Sequence, residues 1–166
     1  MYKRQGFCDV RARWLAGRLD EAPERPTVLI LHHPPIDGGI GWLTTDPREP
    51  WVHRLAEAIR GRGNVVAMLC GHMHRSIGAM FEGVPVTVCP ATAPQAALEL
   101  SPIDPEQPDG RPMIVDQPPA YALHLWRHGQ LVSHVDRAEP GDVLVRYDET
   151  MQPLVRRVFR ERPDPA

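Results

Sequence analysis

Apolar and polar positions change period several times along the chain, and each change predicts an element. Phe7, Val10, Trp14, Leu15 and Leu19 recur at helical spacing, so residues 7–19 predict a helix with one apolar face. Glu21-Ala22-Pro23-Glu24-Arg25-Pro26 breaks it. Residues 27–31 then form a short continuous apolar run rich in β-branched side chains, which predicts a strand buried on both faces. The run stops at His32-His33-Pro34-Pro35, where two prolines forbid further regular structure. Gly38-Gly39-Ile40-Gly41 and the Thr-Asp-Pro stretch after it predict a loop. Residues 51–59 predict a helix with Trp51, Leu55, Ala58 and Ile59 on one side, ended by Gly61 to Gly63. Residues 65–70 predict a second buried strand, ending at Gly71-His72-Met73-His74. Strand, histidine loop, helix, strand and histidine loop make a βαβ unit, with a parallel pair and a right-handed crossover. Sites in such sheets form beyond the carboxyl ends of the strands, which is where both histidine pairs fall.

After residue 75 the pattern turns to hairpins. Residues 76–81 and 84–88 flank Glu82-Gly83, and residues 121–126 and 131–135 flank Arg127-His128-Gly129-Gln130. Between the hairpins, residues 102–119 form a polar, proline-rich loop. Residues 143–147 predict a last short strand, and the charged tail after Phe159 is expected to be mobile. The chain contains no internal repeat. Its 166 residues suffice for one domain with a real core, and a net charge of -2 argues against a general polyanion-binding surface. No apolar run approaches a membrane span and no signal-peptide core is present, so a cytoplasmic protein with no membrane partner and no specific nucleic acid is expected. Cys8, Cys70 and Cys89 are an odd count without CxxC spacing, so neither a disulfide framework nor a zinc ribbon is indicated.

Four of the eight histidines fall in the two tight pairs. Neutral imidazole is a good ligand for Zn, Mn and Fe. Two histidines at i and i+2 in an extended loop point to opposite sides, so His72 and His74 are placed to face two metals or to straddle a bridge between them. Gly71 is expected to let the backbone turn sharply there. His32 arrives from the neighbouring strand, which makes His32, His72 and His74 the candidate metal ligands. His33 is either a substrate or outer-sphere contact or a solvated side chain. His53, His124, His128 and His134 are expected to be ordinary polar surface residues. No residue is assigned as a general acid, general base or nucleophile. No G-x-S-x-G is present, and Cys70, at the end of a buried strand, is expected to be inert.

Leu31-His32-His33-Pro34-Pro35 followed by Cys70-Gly71-His72-Met73-His74 resembles the last two signature motifs of calcineurin-like metallophosphoesterases, in the cyclic-nucleotide and glycerophosphodiester phosphodiesterase branch. Residues 88–95, Trp14-Leu15 and the hairpin at 121–135 fit the same branch, and the resemblance covers roughly residues 6–136. The resemblance implies an α/β chain that is the C-terminal half of a four-layer α-β-β-α sandwich. It also implies that His32 and His72 bind the second of two divalent metals (Fe, Mn or Zn), that His74 binds the first, and that His33 is not a ligand. The implied reaction is attack of a metal-held water or hydroxide on a small phosphodiester, a cyclic nucleotide or a glycerophosphodiester.

The family's earlier motifs are absent from these residues. There is no Asp-x-His, no Gly-Asp-x-x-Asp and no Gly-Asn-His-Asp/Glu; Gly63-Asn64 is followed by Val65, and Gly141-Asp142 comes after the second histidine motif. Hard carboxylate ligands bridge two cations and offset their repulsion, which neutral imidazoles do not. Met1-Tyr2-Lys3-Arg4-Gln5 resembles the translated end of a sequencing-library adapter, so genuine protein is expected to begin near Gly6. The resulting division is an artefact at 1–5, a partial metallophosphoesterase domain at 6–148 and a tail at 149–166. A longer parent is expected to be the active hydrolase and this chain alone to be inactive. The competing reading is a non-enzymatic module that binds one metal or a phosphate and forms a homo-oligomer through its hairpins.

Overall fold

The computed structural model describes residues 7–139 and 141–161. The expectations for residues 1–5 and for the last residues of the tail therefore lie outside the described residues.

Helix α1 (Asp9–Asp20) is followed by strand β1 (Thr27–Leu31), helix α2 (Pro50–Ile59) and strand β2 (Val65–Cys70). Pro50 opens α2 at a position where the missing N–H would have no intrahelical partner. A hairpin comes next, β3 (Ile77–Phe81) and β4 (Val84–Val88). Its two-residue turn puts both Glu82 (φ 49) and Gly83 (φ 79) in the left-handed region, the geometry that matches strand twist. These strands form one mixed sheet in the order β1-β2-β4-β3, with β1, β2 and β4 parallel and β3 antiparallel. The βαβ unit and the first hairpin thus form as the pattern predicts, giving an α/β fold.

Register sorts the strand residues into two faces. Leu29, Met68, Val86 and Ala79 lie in one row across the sheet, and Ile30, Leu69, Thr87 and Gly78 in the next. The first face is closed by the helices: Leu15 and Leu19 of α1, and Leu55, Ala58 and Ile59 of α2, join Leu29, Met68 and Val86 in one buried cluster. Asn64, buried at the foot of β2, donates to the carbonyls of Leu19 and Ala22 and ties α1 to the sheet.

Two predictions fail here. β1 is not buried on both faces: it is the sheet's edge strand, and Ile30 is 81% exposed. The apolar run alone does not distinguish a central strand from an edge strand whose second face is open. In α1, Val10 and Trp14 are exposed, while Leu15 and Leu19 are buried. One residue advances a helix by about 100°, so Val10 and Trp14 form a stripe separate from the buried one.

The second hairpin is longer than predicted, β7 (Ala120–Arg127) and β8 (Gln130–Arg137), and it forms a sheet of its own. It touches the second face of the mixed sheet through β8 and β2. A two-residue bridge, β5 (Gln95–Ala96) with β6 (Ile114–Val115), pins the two ends of the proline-rich loop. Residues 143–147 form no strand, because no neighbouring strand pairs with them. The segment expected to be a tail holds helix α3 (Gln152–Arg160). Among the described residues, no helix is long and apolar enough to cross a membrane.

Candidate metal centre

Register brings the histidine loops together. Leu31 pairs with Cys70 at the carboxyl ends of β1 and β2. One residue on, Gly71 N–H donates to the His32 carbonyl at 3.1 Å, so the strand ends stay laced together into the loops. Buried side chains anchor each loop: Pro34 and Pro35 are fully buried after the first histidine pair, and Met73 is fully buried between His72 and His74. Met73 Cε leaves no room beside Gly38, where an added Cβ would lie 2.6 Å from it. The imidazoles therefore project from backbone fixed by core packing.

His32, His33 and His72 converge. The rings of His33 and His72 lie 4.0 Å apart, those of His32 and His33 4.8 Å, and those of His32 and His72 5.2 Å. One ligand nitrogen from each falls within 4.8 Å of the others. The third expected ligand, His74, is not in this cluster; its Nδ1 lies 2.9 Å from the Pro94 carbonyl. His33, expected to touch substrate or solvent, lies within this cluster instead. Its signal in the sequence was adjacency to His32 at a strand end.

The two histidines of the second loop separate, but not by extended alternation. His72 (φ 70) and His74 (φ 49) both take left-handed backbone, whereas Gly71, expected to supply the sharp turn, is not among the residues with positive φ. That conformation costs a residue with a Cβ on the order of 1 kcal/mol, and such strain clusters at functional sites.

His72 and His74 each have a carbonyl partner, and a carbonyl only accepts. His72 Nε2 lies 3.2 Å from the Leu43 carbonyl, so Nε2 carries the hydrogen and Nδ1 the free lone pair. His74 is the opposite tautomer, with Nδ1–H donating to Pro94 and Nε2 free. Backbone carbonyls commonly orient ligand histidines in this way. No motif in the sequence assigned a role to Leu43 or Pro94, because only their backbone takes part.

Electrostatics favour the neutral form of His33 and His72. Burial holds the His33 imidazole below its usual range, and the neighbouring His32 adds to this. Burial does the same at His72, followed by His33 and His32, against an opposing contribution from the Leu43 carbonyl. Neutral imidazoles keep the lone pairs a cation needs. Burial pushes the Cys70 thiol up to about 12, which leaves it a poor nucleophile beside the site.

This donor set suits one borderline cation such as Zn or Fe better than a harder one such as Mn. It does not suit two, because among the described residues no carboxylate joins the three histidines. Of the histidines expected at the surface, His53, His128 and His134 are exposed, but His124 is half-buried. Its Nδ1 lies 2.8 Å from Ser133 Oγ and its Nε2 3.8 Å from Cys89 Sγ, which fastens the second hairpin to the end of β4.

No protein-family model matches the chain. Curated relatives do. A probable glycerophosphodiester phosphodiesterase of Arcobacter nitrofigilis is 29% identical over 130 residues, 78% of this chain and 45% of the relative. The 3',5'-cyclic adenosine monophosphate phosphodiesterase of Escherichia coli is 31% identical over 87 residues, 52% of this chain and 31% of the relative. A cAMP/cGMP dual-specificity phosphodiesterase of Mycobacterium tuberculosis is 40% identical over 80 residues, 48% of this chain and 24% of the relative. The chain thus spans less than half the length of these relatives. Over the part it shares with them, the chain is similar to proteins named as cyclic-nucleotide and glycerophosphodiester phosphodiesterases, consistent with the branch that its two histidine motifs resemble.

Proposed function

We propose that these residues belong to a metal-dependent phosphodiesterase acting on a small diester, a cyclic nucleotide or a glycerophosphodiester. One observation carries the reading: imidazoles from two adjacent strand ends meet within 4.8 Å, at the end of the sheet where α/β sites form. His32 and His72 hold a cation, with His33 as a third donor. His74, aimed by Pro94, offers its Nε2 to a second cation whose remaining ligands are carboxylates from outside this cluster. When bound, the cations supply Lewis acidity toward the phosphate oxygens and an activated water. Leu43 fixes the ring of His72, and the depressed basicity of His33 and His72 keeps both ready as ligands near neutral pH. The mixed sheet then forms one layer of a four-layer α-β-β-α sandwich, and the chain alone is inactive toward diesters.

The test is metal binding by the 166-residue chain, titrated with Zn(II) and Mn(II) by calorimetry, together with hydrolysis of bis(p-nitrophenyl) phosphate. We expect binding of one cation, weakened at least roughly tenfold in His32→Ala and in His72→Ala, and little changed in His74→Ala. Undiminished binding in the first two variants, or diester cleavage that persists in chelator, sinks the proposal. A second reading is favoured by one feature: among the described residues the three histidines are joined by no carboxylate, so they can hold a single cation with water completing its coordination, as in a metal- or phosphate-binding module. Tight one-to-one binding by a chain that remains inactive when joined to the missing ligands of a relative would select it.

A further inference from the structure

Helix α3 (Gln152–Arg160) is the most strongly amphipathic of the three helices, yet none of its residues is buried. At about 100° per residue, Leu154, Val155, Val158 and Phe159 share one arc and Arg156, Arg157 and Arg160 the opposite one. Leu154, Val158 and Phe159 are exposed. Arg156 and Arg160, with Pro153 and Phe159, line a hollow at the border between the two arcs. The helix contains no acidic residue; Glu161, just beyond it, lies 3.9 Å from Arg157 and leaves the other two arginines to the polar face. Val143, Leu144, Val145 and Tyr147, which precede the helix in the chain, are exposed as well.

We propose that α3 is a peripheral docking element for an anionic phospholipid surface, lying in the plane of the interface. Leu154, Val158 and Phe159 enter the acyl boundary, and Arg156 and Arg160 hold headgroup phosphates. A bilayer accounts for both arcs at once, because its phosphates lie directly above its hydrocarbon, as the arginine-lined hollow lies beside Phe159. The charge fits: three guanidinium groups gather on a chain whose net charge is -2. The proposed contact is with the membrane surface and crosses nothing.

The experiment is co-sedimentation of the 166-residue chain with phosphatidylcholine vesicles and with vesicles in which a third of the lipid is phosphatidylglycerol. We expect at least roughly tenfold stronger partitioning onto the anionic vesicles, most of it lost at high salt. The paired variant Arg156→Gln/Arg160→Gln should lose roughly tenfold or more, and Val158→Asp a similar amount, since each removes one of the two contributions. Equal binding to both vesicles, or full binding by the arginine variant, overturns the proposal. So does an absence of binding accompanied by a dimer that Val158→Asp disperses, which would assign the helix to a second copy of the chain.

Discussion

The two halves of the molecule use their apolar residues differently. Among the described residues, every buried hydrophobic residue except Ala120 lies between Leu15 and Ala97. There the helices and the mixed sheet close one continuous core, and the histidine loops grow out of it. From residue 98 onward Leu100, Leu123, Leu125, Val132, Val143, Leu144, Val145 and Tyr147 are exposed, with Leu144 at 90%. The second region has the hydrophobic content of a core and no core. Its two long strands hold through pairing with each other, and the region is fastened to the rest by the β5–β6 bridge, by the Ala120 N–H to the Ala91 carbonyl, by Arg75 to Gln117, by His124 beside Cys89 and by contact of β8 with β2. Hydrophobic residues thus build a core only where topology supplies a second layer to meet them.

The largest expected effect sharpens this contrast. Leu55→Ala or Met68→Ala, both at fully buried positions, should cost about 2–5 kcal/mol in chemical denaturation. Leu144→Ala should stay within about 0.5 kcal/mol. Equal costs would erase the distinction. A smaller effect tests how far the core reaches into the site: Gly38→Ala drives a Cβ against the flexible end of Met73 and should cost about 1 kcal/mol, with weakened metal binding at His72. Retained stability with unchanged metal affinity would separate the loop from the core.

The smallest effect is electrostatic. His33 and His72 resist protonation in the folded chain, whereas in the unfolded chain they titrate near about 6.5. The unfolded state therefore binds more protons as pH falls through that value, and the folded state loses stability just below it. Denaturation midpoints compared above and below that pH should show the decline, and His72→Gln should reduce it. A midpoint that rises as the pH drops there would contradict the neutral cluster.

Much of the first region was legible because its signals are local. The two apolar runs ending in histidines, the helix between them and the Glu82-Gly83 turn each carry their own pattern. What escaped depends on distant neighbours. The edge position of β1 follows from strand order, and the two-residue bridge at Gln95–Ala96 from its pairing with Ile114–Val115 across the proline-rich loop. Residues 143–147 had the composition of a strand and no partner, while α3 had a readable helical spacing hidden among prolines and charges. In the site, histidine spacing located the loops. It grouped His74 with His32 and His72 where the structure groups His33, because that depends on left-handed backbone at His72 and His74 and on carbonyls of Leu43 and Pro94.

Met73 has a consequence beyond packing. Seated wholly in the core between two imidazoles, it welds the ligand loop to the sheet, so the loop has no private melting transition. Anything gripped by His72 should raise the unfolding temperature of the whole α/β unit by mass action. Conversely, oxidation of that one thioether to a sulfoxide would scatter histidines the oxidant never touched.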